Sequence, residues 1–243
     1  MQPRLDRADT RYVPMRHVLP HISALVLVLS ALAAGQGAET GRVLGHVTLT
    51  RRVPGKPLAS TAYPRRTIGD HDAPPLPDIR NVVVYIKDAV YHGALPARRA
   101  ELRQEHETFT PHTLAITRGS TVDFPNGDPF FHNVFSLSRA ANFNLGRYER
   151  GQSRGRVFTK TGTVKVYCDI HSHMSATILV FDHPYFTIPQ LDGSFELPAV
   201  PVGQYTIIGW HERVGEQSER IRVEAGHPVS VELNVPIDDG ETP

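Results

Sequence analysis

Nine short runs of β-branched and aromatic residues, separated by turn residues, constrain the fold of this chain more than any other feature. The runs are Gly45 to Thr50, Val82 to Ile86, Thr113 to Thr117, Thr121 to Phe124, Val164 to Tyr167, Ala176 to Phe181, Tyr205 to Trp210, Glu219 to Val223 and Val229 to Val235. Such runs favour antiparallel sandwiches over a parallel sheet covered by helices. The sequence therefore predicts an all-β protein, in which only the short segment Ala97 to Gln104 has the apolar spacing of a helix.

The N-terminal segment has the pattern of an export signal. Arg16 and His17 precede an apolar run from Ile22 to Ala34, and small residues follow the run. We expect residues 1–38 to be a signal segment that is cleaved between about Ala33 and Glu39. An uncleaved membrane anchor would look similar and stays open. Export would place the mature protein in the periplasm.

Charge and cysteine content narrow the function. The formal net charge is +1, and the mature chain stays near neutrality, which argues against a general nucleic-acid binder. The chain has one cysteine, Cys168, which cannot form an internal disulfide in an oxidising compartment. Metal ligation is the simplest reason to keep such a thiol.

A set of soft and borderline metal ligands surrounds this cysteine in the sequence. His171 and Met174 follow Cys168 at intervals of three residues, and His132 lies upstream. One thiolate, two imidazoles and a thioether are the ligands of a trigonal copper centre with a weak axial methionine, whereas zinc seldom takes a thioether. The sequence predicts one copper ion held by these four residues, with His173 as a competing donor for the place of Met174.

Two other interpretations of Cys168 were open from the sequence. A buried free cysteine can serve as a small core residue, with histidines nearby by chance. A nucleophilic Cys–His pair is disfavoured because no helix N-terminus or oxyanion-stabilising pattern precedes Cys168. The string Gly151 to Gly155 matches G-x-S-x-G but lacks the strand and helix that this motif needs, so we expect a polar turn there.

The ligand string resembles that of the cupredoxins. Cys-x-x-His-x-x-Met, with His132-Asn133 upstream, is similar to the amicyanin and plastocyanin type, and "TPHTLAITRGSTVDFPN" resembles early strands of that family. The resemblance covers about residues 99–183 and implies a type 1 (blue) copper site. It implies His132, Cys168 and His171 as equatorial ligands, Met174 as the axial ligand, and Asn133 as a hydrogen-bonding partner of the ligand loop. The pair Ser172-His173 departs from the amicyanin pattern.

The segments on either side of this region resemble a second family. "DGSF" and "LPAVPVGQY" are similar to the carboxypeptidase regulatory-like, transthyretin-type sandwich. We expect residues 41–95 and 184–236 to form this sandwich and residues 97–183 to form a cupredoxin Greek-key sandwich inserted in it, since insertion at an exposed loop is tolerated. Residues 54–78, rich in Pro, Arg and Gly, are predicted to be a long surface loop.

These resemblances imply an exported copper protein that passes single electrons between periplasmic redox proteins, as do cupredoxins sometimes labelled methylamine-utilisation proteins. With four ligands from the chain, the copper would have no open position for a substrate, so we expect no enzymatic activity. A copper carrier or sensor is one alternative, although such proteins tend to be rich in exposed Met or His, and this chain has 3 Met. The other alternative is a module that binds a surface polymer, with copper as a structural staple.

Overall fold

The computed structural model describes residues 39–51 and 78–237. The predicted signal segment and the predicted loop 54–78, except Asp78, lie outside the described residues. No helix in the described ranges is long and apolar enough to cross a membrane.

The described residues are almost entirely β-structure. They form seventeen strands and one 3₁₀ helix, Asp78–Asn81. The strands are β1 (Thr40–Arg51), β2 (Val83–Lys87), β3 (Arg99–Glu101), β4 (Arg103–Glu105), β5 (Thr108–Thr110), β6 (Thr113–Thr117), β7 (Thr121–Pro125), β8 (His132–Ser138), β9 (Ala141–Tyr148), β10 (Ser153–Val157), β11 (Gly162–Tyr167), β12 (Ser175–Phe181), β13 (Phe186–Thr187), β14 (Ser194–Pro201), β15 (Gly203–His211), β16 (Gly215–Val223) and β17 (Val229–Ile237). Eight of the nine predicted runs lie wholly within strands and the ninth begins one residue before β2, so the all-β prediction is confirmed.

Two local predictions were wrong. The segment Ala97 to Gln104 is not a helix, because Arg99–Glu101 pairs with β7 and Arg103–Glu105 pairs with β5. The segment Gly151 to Gly155 turns only at its start, and its last three residues belong to β10, which is antiparallel to β7. In both places backbone pairing with β7 or β5 overrides a weak local pattern.

Strands from the two ends of the described chain pair with each other. We call this assembly the split sandwich, formed by β1, β2 and β13 to β17. Strand β1 lies between β14 and β17 in one sheet, and β2 lies between β13 and β15 in the other, with β16 at its edge. Apolar side chains of both sheets form one buried cluster that includes Val43, Val84, Ile207 and Leu233. The N-terminal strands therefore occupy the interior of both sheets.

Residues 99–181 form the central sandwich. Its larger sheet has the order β6-β12-β11-β8-β9, and its smaller sheet has the order β10-β7-β3. A second buried cluster fills it, with Phe124, Val134 and Ile178 among its members, and this cluster also contains Cys168 and Met174. The sulfur-bearing residues are thus part of the apolar core of the central sandwich. The boundaries predicted for the domains stay a prediction.

A half-buried carboxylate links the two sandwiches. Glu212 follows β15 of the split sandwich, and its side chain is hydrogen-bonded to His112 Nε2, to Lys165 Nζ at 2.7 Å and to Thr177 Oγ1 at 2.8 Å, all in the central sandwich. The hydrogen bond from His112, together with those from Lys165 and Thr177, holds the pKa of Glu212 well below its usual range although burial opposes this shift. The charged form of Glu212 therefore stabilises the fold.

Replacement of Glu212 by glutamine should lower the free energy of unfolding at pH 7 by about 2 kcal/mol, since hydrogen bonds to a charged group are lost. Because the pKa of Glu212 is lower in the folded state than its ordinary 4.5, its contribution is complete above about pH 4.5 and is lost as the pH falls toward the folded value. Urea unfolding at pH 7 and pH 3.5 measures both effects.

The control is Glu232→Gln, because the Glu232 side chain is 80% exposed. This variant should unfold like the parent at both pH values. Equal stability of the parent and the Glu212 variant at pH 7 would contradict the role given to Glu212.

Candidate metal centre

The fold brings one strand and one loop together at the end of the central sandwich. His132 is the first residue of β8, and Cys168, His171 and Met174 lie in the loop between β11 and β12. Strand β11 pairs with β12 along its whole length and with β8 at Tyr167. Since Tyr167 precedes Cys168, this pairing places the loop beside β8.

Three predicted ligands converge. Cys168 Sγ lies 3.7 Å from His132 Nδ1 and 4.0 Å from His171 Nδ1, and the two Nδ1 atoms are 3.1 Å apart. Bonds of about 2.1 Å to nitrogen and about 2.3 Å to sulfur would place donor atoms roughly 3.5–4 Å apart around one ion. The two sulfur–nitrogen distances lie in this range, whereas the two nitrogens are closer together, so the donor set fits a single metal ion. Among the described residues, this is the one group of three or more His, Cys, Asp or Glu side chains close enough to share a metal ion.

The donor cluster is shielded from solvent on most sides. His132 is fully buried and Cys168 is 4% exposed, whereas His171 is half-buried. The ring of Phe130 has its centroid 5.2 Å from the centroid of each imidazole. His171 is therefore the donor through which the site meets the surface.

The environment of the sulfur favours a thiolate. Burial by itself raises the pKa of Cys168, but the hydrogen bond with His132 and the backbone amides of Asn133, His171 and Ile170 lower it, and the pKa comes to about 6. Burial likewise opposes the charged form of His132, while contacts with Cys168 and Asp128 raise the pKa of His132 above its ordinary value. Near neutral pH the sulfur is thus available as a charged ligand.

Asp128 is a site residue that the sequence analysis missed. Its Oδ2 accepts a hydrogen bond from His132 Nε2 at 2.8 Å, so Nδ1 of His132 is left facing Cys168. Burial raises the pKa of Asp128, but His132 and two backbone amides lower it below its ordinary value. The four-residue spacing from Asp128 to His132 was the available signal, although spacing outside a helix does not establish contact.

The other predicted site residues have different positions. Met174 is 1% exposed, and its backbone N–H donates to His171 O at 3.0 Å, which tightens the ligand loop. Asn133 contributes its backbone N–H to Cys168, and its Oδ1 is buried with no hydrogen-bond partner in the structure. His173 is exposed and its Nε2 lies 3.3 Å from Glu107 Oε2, outside the donor cluster. The axial role of Met174 and the side-chain role of Asn133 stay predictions.

No protein-family model and no curated protein matches the chain. Solved structures give partial likenesses. A Cu-containing nitrite reductase (NirK) from Thermus scotoductus SA-01 is 26% identical over 39% of this chain, with a TM-score of 0.34, and this chain spans 25% of the reductase. A purple cupredoxin from Nitrosopumilus maritimus is 24% identical over 34% of this chain and 99% of its own length, with a TM-score of 0.31.

A methionine-to-alanine variant of amicyanin in its Cu(I) form is 20% identical over 40% of this chain and 98% of its own length, with a TM-score of 0.32. TM-scores this low carry no argument about function, which has to rest on the donor cluster itself. The resemblances to a carboxypeptidase regulatory-like sandwich and to methylamine-utilisation proteins stay predictions.

Proposed function

We propose that this chain is a type 1 copper protein that carries single electrons between exported redox proteins. The observation that carries this proposal is the convergence of one thiolate and two imidazoles in a buried cluster. His132, Cys168 and His171 would hold the copper as equatorial ligands, and Met174 would be a weak axial ligand. The bound copper would supply the one-electron chemistry by alternating between Cu(I) and Cu(II).

The chain's own contribution would be a rigid ligand frame. The ligand loop is closed by backbone hydrogen bonds, from Met174 N–H to His171 O at 3.0 Å and from Cys168 N–H to Met174 O at 3.4 Å. His132 is fixed by β8 and by Asp128. A frame that moves little between oxidation states keeps the reorganisation on electron transfer small, and this suits a carrier with no substrate of its own.

Burial favours an electron carrier over a copper carrier. A protein that hands copper to a partner needs ligands that the partner can reach, whereas Cys168 is 4% exposed and His132 is fully buried. The surface around His171 suits contact with another protein, since Phe131 is 54% exposed and Ile170 is 38% exposed. We infer that redox partners dock there, in the periplasm if residues 1–38 direct export.

Redox cycling in the presence of a chelator separates the two functions. The Cu(II)-loaded protein is reduced with ascorbate, exposed to a Cu(I) chelator that competes for accessible copper, and then reoxidised. An electron carrier should retain its copper and recover its original visible spectrum, because the buried ligands do not release the ion. Complete transfer of copper to the chelator within the time of mixing would contradict the electron-carrier proposal and favour the copper-carrier alternative.

A further inference from the structure

A buried carboxylate is aimed at the fully buried histidine of the metal centre. Asp128 is 5% exposed, and its Oδ2 lies 2.8 Å from His132 Nε2. The His132 imidazole is hydrogen-bonded to this carboxylate deep in the protein. A carboxylate is a stronger hydrogen-bond acceptor than the backbone carbonyl or water that could otherwise satisfy this imidazole N–H.

Several parts of the chain hold this carboxylate in place. The backbone N–H of His106 donates to Oδ1 at 2.7 Å, and that of Glu107 donates to Oδ2 at 3.0 Å. Both residues have φ values in the left-handed region, 55° and 52°, which non-glycine residues seldom adopt. The N–H of Asp128 itself donates to Asn126 Oδ1 at 2.9 Å. The strained turn and the buried amide side chain fix the carboxylate opposite His132.

We propose that Asp128 is a positioning residue that tunes the copper centre through His132. Its hydrogen bond from Nε2 fixes the imidazole with Nδ1 toward the metal, and its negative charge makes that nitrogen a stronger donor. Cu(II) gains more from a stronger nitrogen donor than Cu(I) does, so Asp128 favours the oxidised state and lowers the reduction potential. This inference rests on the proposed function, since it concerns the same site.

The test compares two variants that each remove one negative charge near the copper. Asp128→Asn keeps the size of the side chain and one carbonyl oxygen. The matched control is Asp169→Asn, because Asp169 directly follows Cys168 and pairs with Arg147 at 3.4 Å but is hydrogen-bonded to none of the predicted ligands. The reduction potential and the affinities for Cu(I) and Cu(II) are measured for both variants and the parent.

In Asp128→Asn, the affinity for Cu(II) should fall about 10- to 100-fold and the affinity for Cu(I) much less, so the ratio of Cu(II) affinity to Cu(I) affinity should fall. Each tenfold fall in this ratio corresponds to a rise of about 59 mV in the potential of a one-electron couple. Asp169→Asn should keep both affinities within about twofold. Equal weakening of Cu(I) and Cu(II) binding in Asp128→Asn would show that Asp128 only anchors the loop, and an equal shift of potential in both variants would assign the effect to charge alone. Either result would overturn the proposal.

A measurement on the parent protein covers the case in which Asp128→Asn does not fold. In the diamagnetic Cu(I)-loaded protein, proton NMR should show the His132 Nε2 hydrogen strongly downfield and protected from exchange with solvent. Rapid exchange of this hydrogen would overturn the proposal. Failure of the proposed function is recognised separately, because the parent protein would then lack the blue colour of a type 1 site with Cu(II), whatever the variants show.

Discussion

Replacement of Cys168 by serine should abolish the blue colour of the Cu(II)-loaded protein completely. The colour of a type 1 site arises from charge transfer between a cysteine thiolate and copper, and a serine hydroxyl cannot supply this transition. Because serine is slightly smaller and the site lies at the end of the sandwich, the variant should stay folded. Visible absorption with one equivalent of Cu(II), together with circular dichroism, measures both outcomes.

Two variants in the same loop serve as controls. His173→Ala should keep the colour, because His173 is exposed and lies outside the donor cluster. Met174→Leu should also keep the colour but raise the reduction potential, since loss of a weak donor disfavours Cu(II) more than Cu(I). If His173→Ala changes the spectrum and Met174→Leu does not, His173 is the axial ligand and the prediction for Met174 is wrong.

The second large effect concerns the split sandwich. A fragment of residues 184–243 should be unfolded or insoluble, because it lacks β1 and β2. Strand β1 is paired with both β14 and β17, and β2 is paired with both β13 and β15. Removal of these strands leaves four unpaired edges and exposes the apolar faces that cover Val43 and Val84. Circular dichroism and urea unfolding of the fragment provide the measurement.

A fragment of residues 97–183, which contains the central sandwich, is the positive control for the fragment of residues 184–243. It contains all strands of the central sandwich and the predicted ligands, so it should fold and bind Cu(II). It lacks Glu212, so we expect it to be less stable than the same region in the full chain. Cooperative unfolding of the 184–243 fragment would show instead that the C-terminal strands form an independent domain.

Much of the fold could be predicted because β-branched runs identify strands without tertiary information. The run Thr113–Thr117 matches the bounds of β6, and the other eight runs lie within a few residues of their strands. Strands β8 and β9 were missed because their sequences, HNVFSLS and ANFNLGRY, contain few β-branched residues. The pairing of β8 with β9, and of β8 with β11, determines their structure, and a sequence window does not contain that pairing.

For the candidate site too, the residue types could be predicted from the sequence, whereas contacts that depend on the fold could not. His132, Cys168, His171 and Met174 could be proposed from the sequence because few metals accept this mixture of ligands. Asp128 could not, because its role depends on a hydrogen bond across a turn and on backbone amides from a loop more than twenty residues upstream. Hydrogen bonds of this kind depend on tertiary structure, which residue type alone does not specify.

The visible spectrum of the purified parent protein during titration with Cu(II) tests the central claim most directly. We expect an intense blue absorption that grows linearly and stops at one equivalent of copper, because the described residues contain one cluster of His and Cys ligands. Protein that binds one equivalent of copper and stays colourless would contradict the claim that His132, Cys168 and His171 form a type 1 copper site.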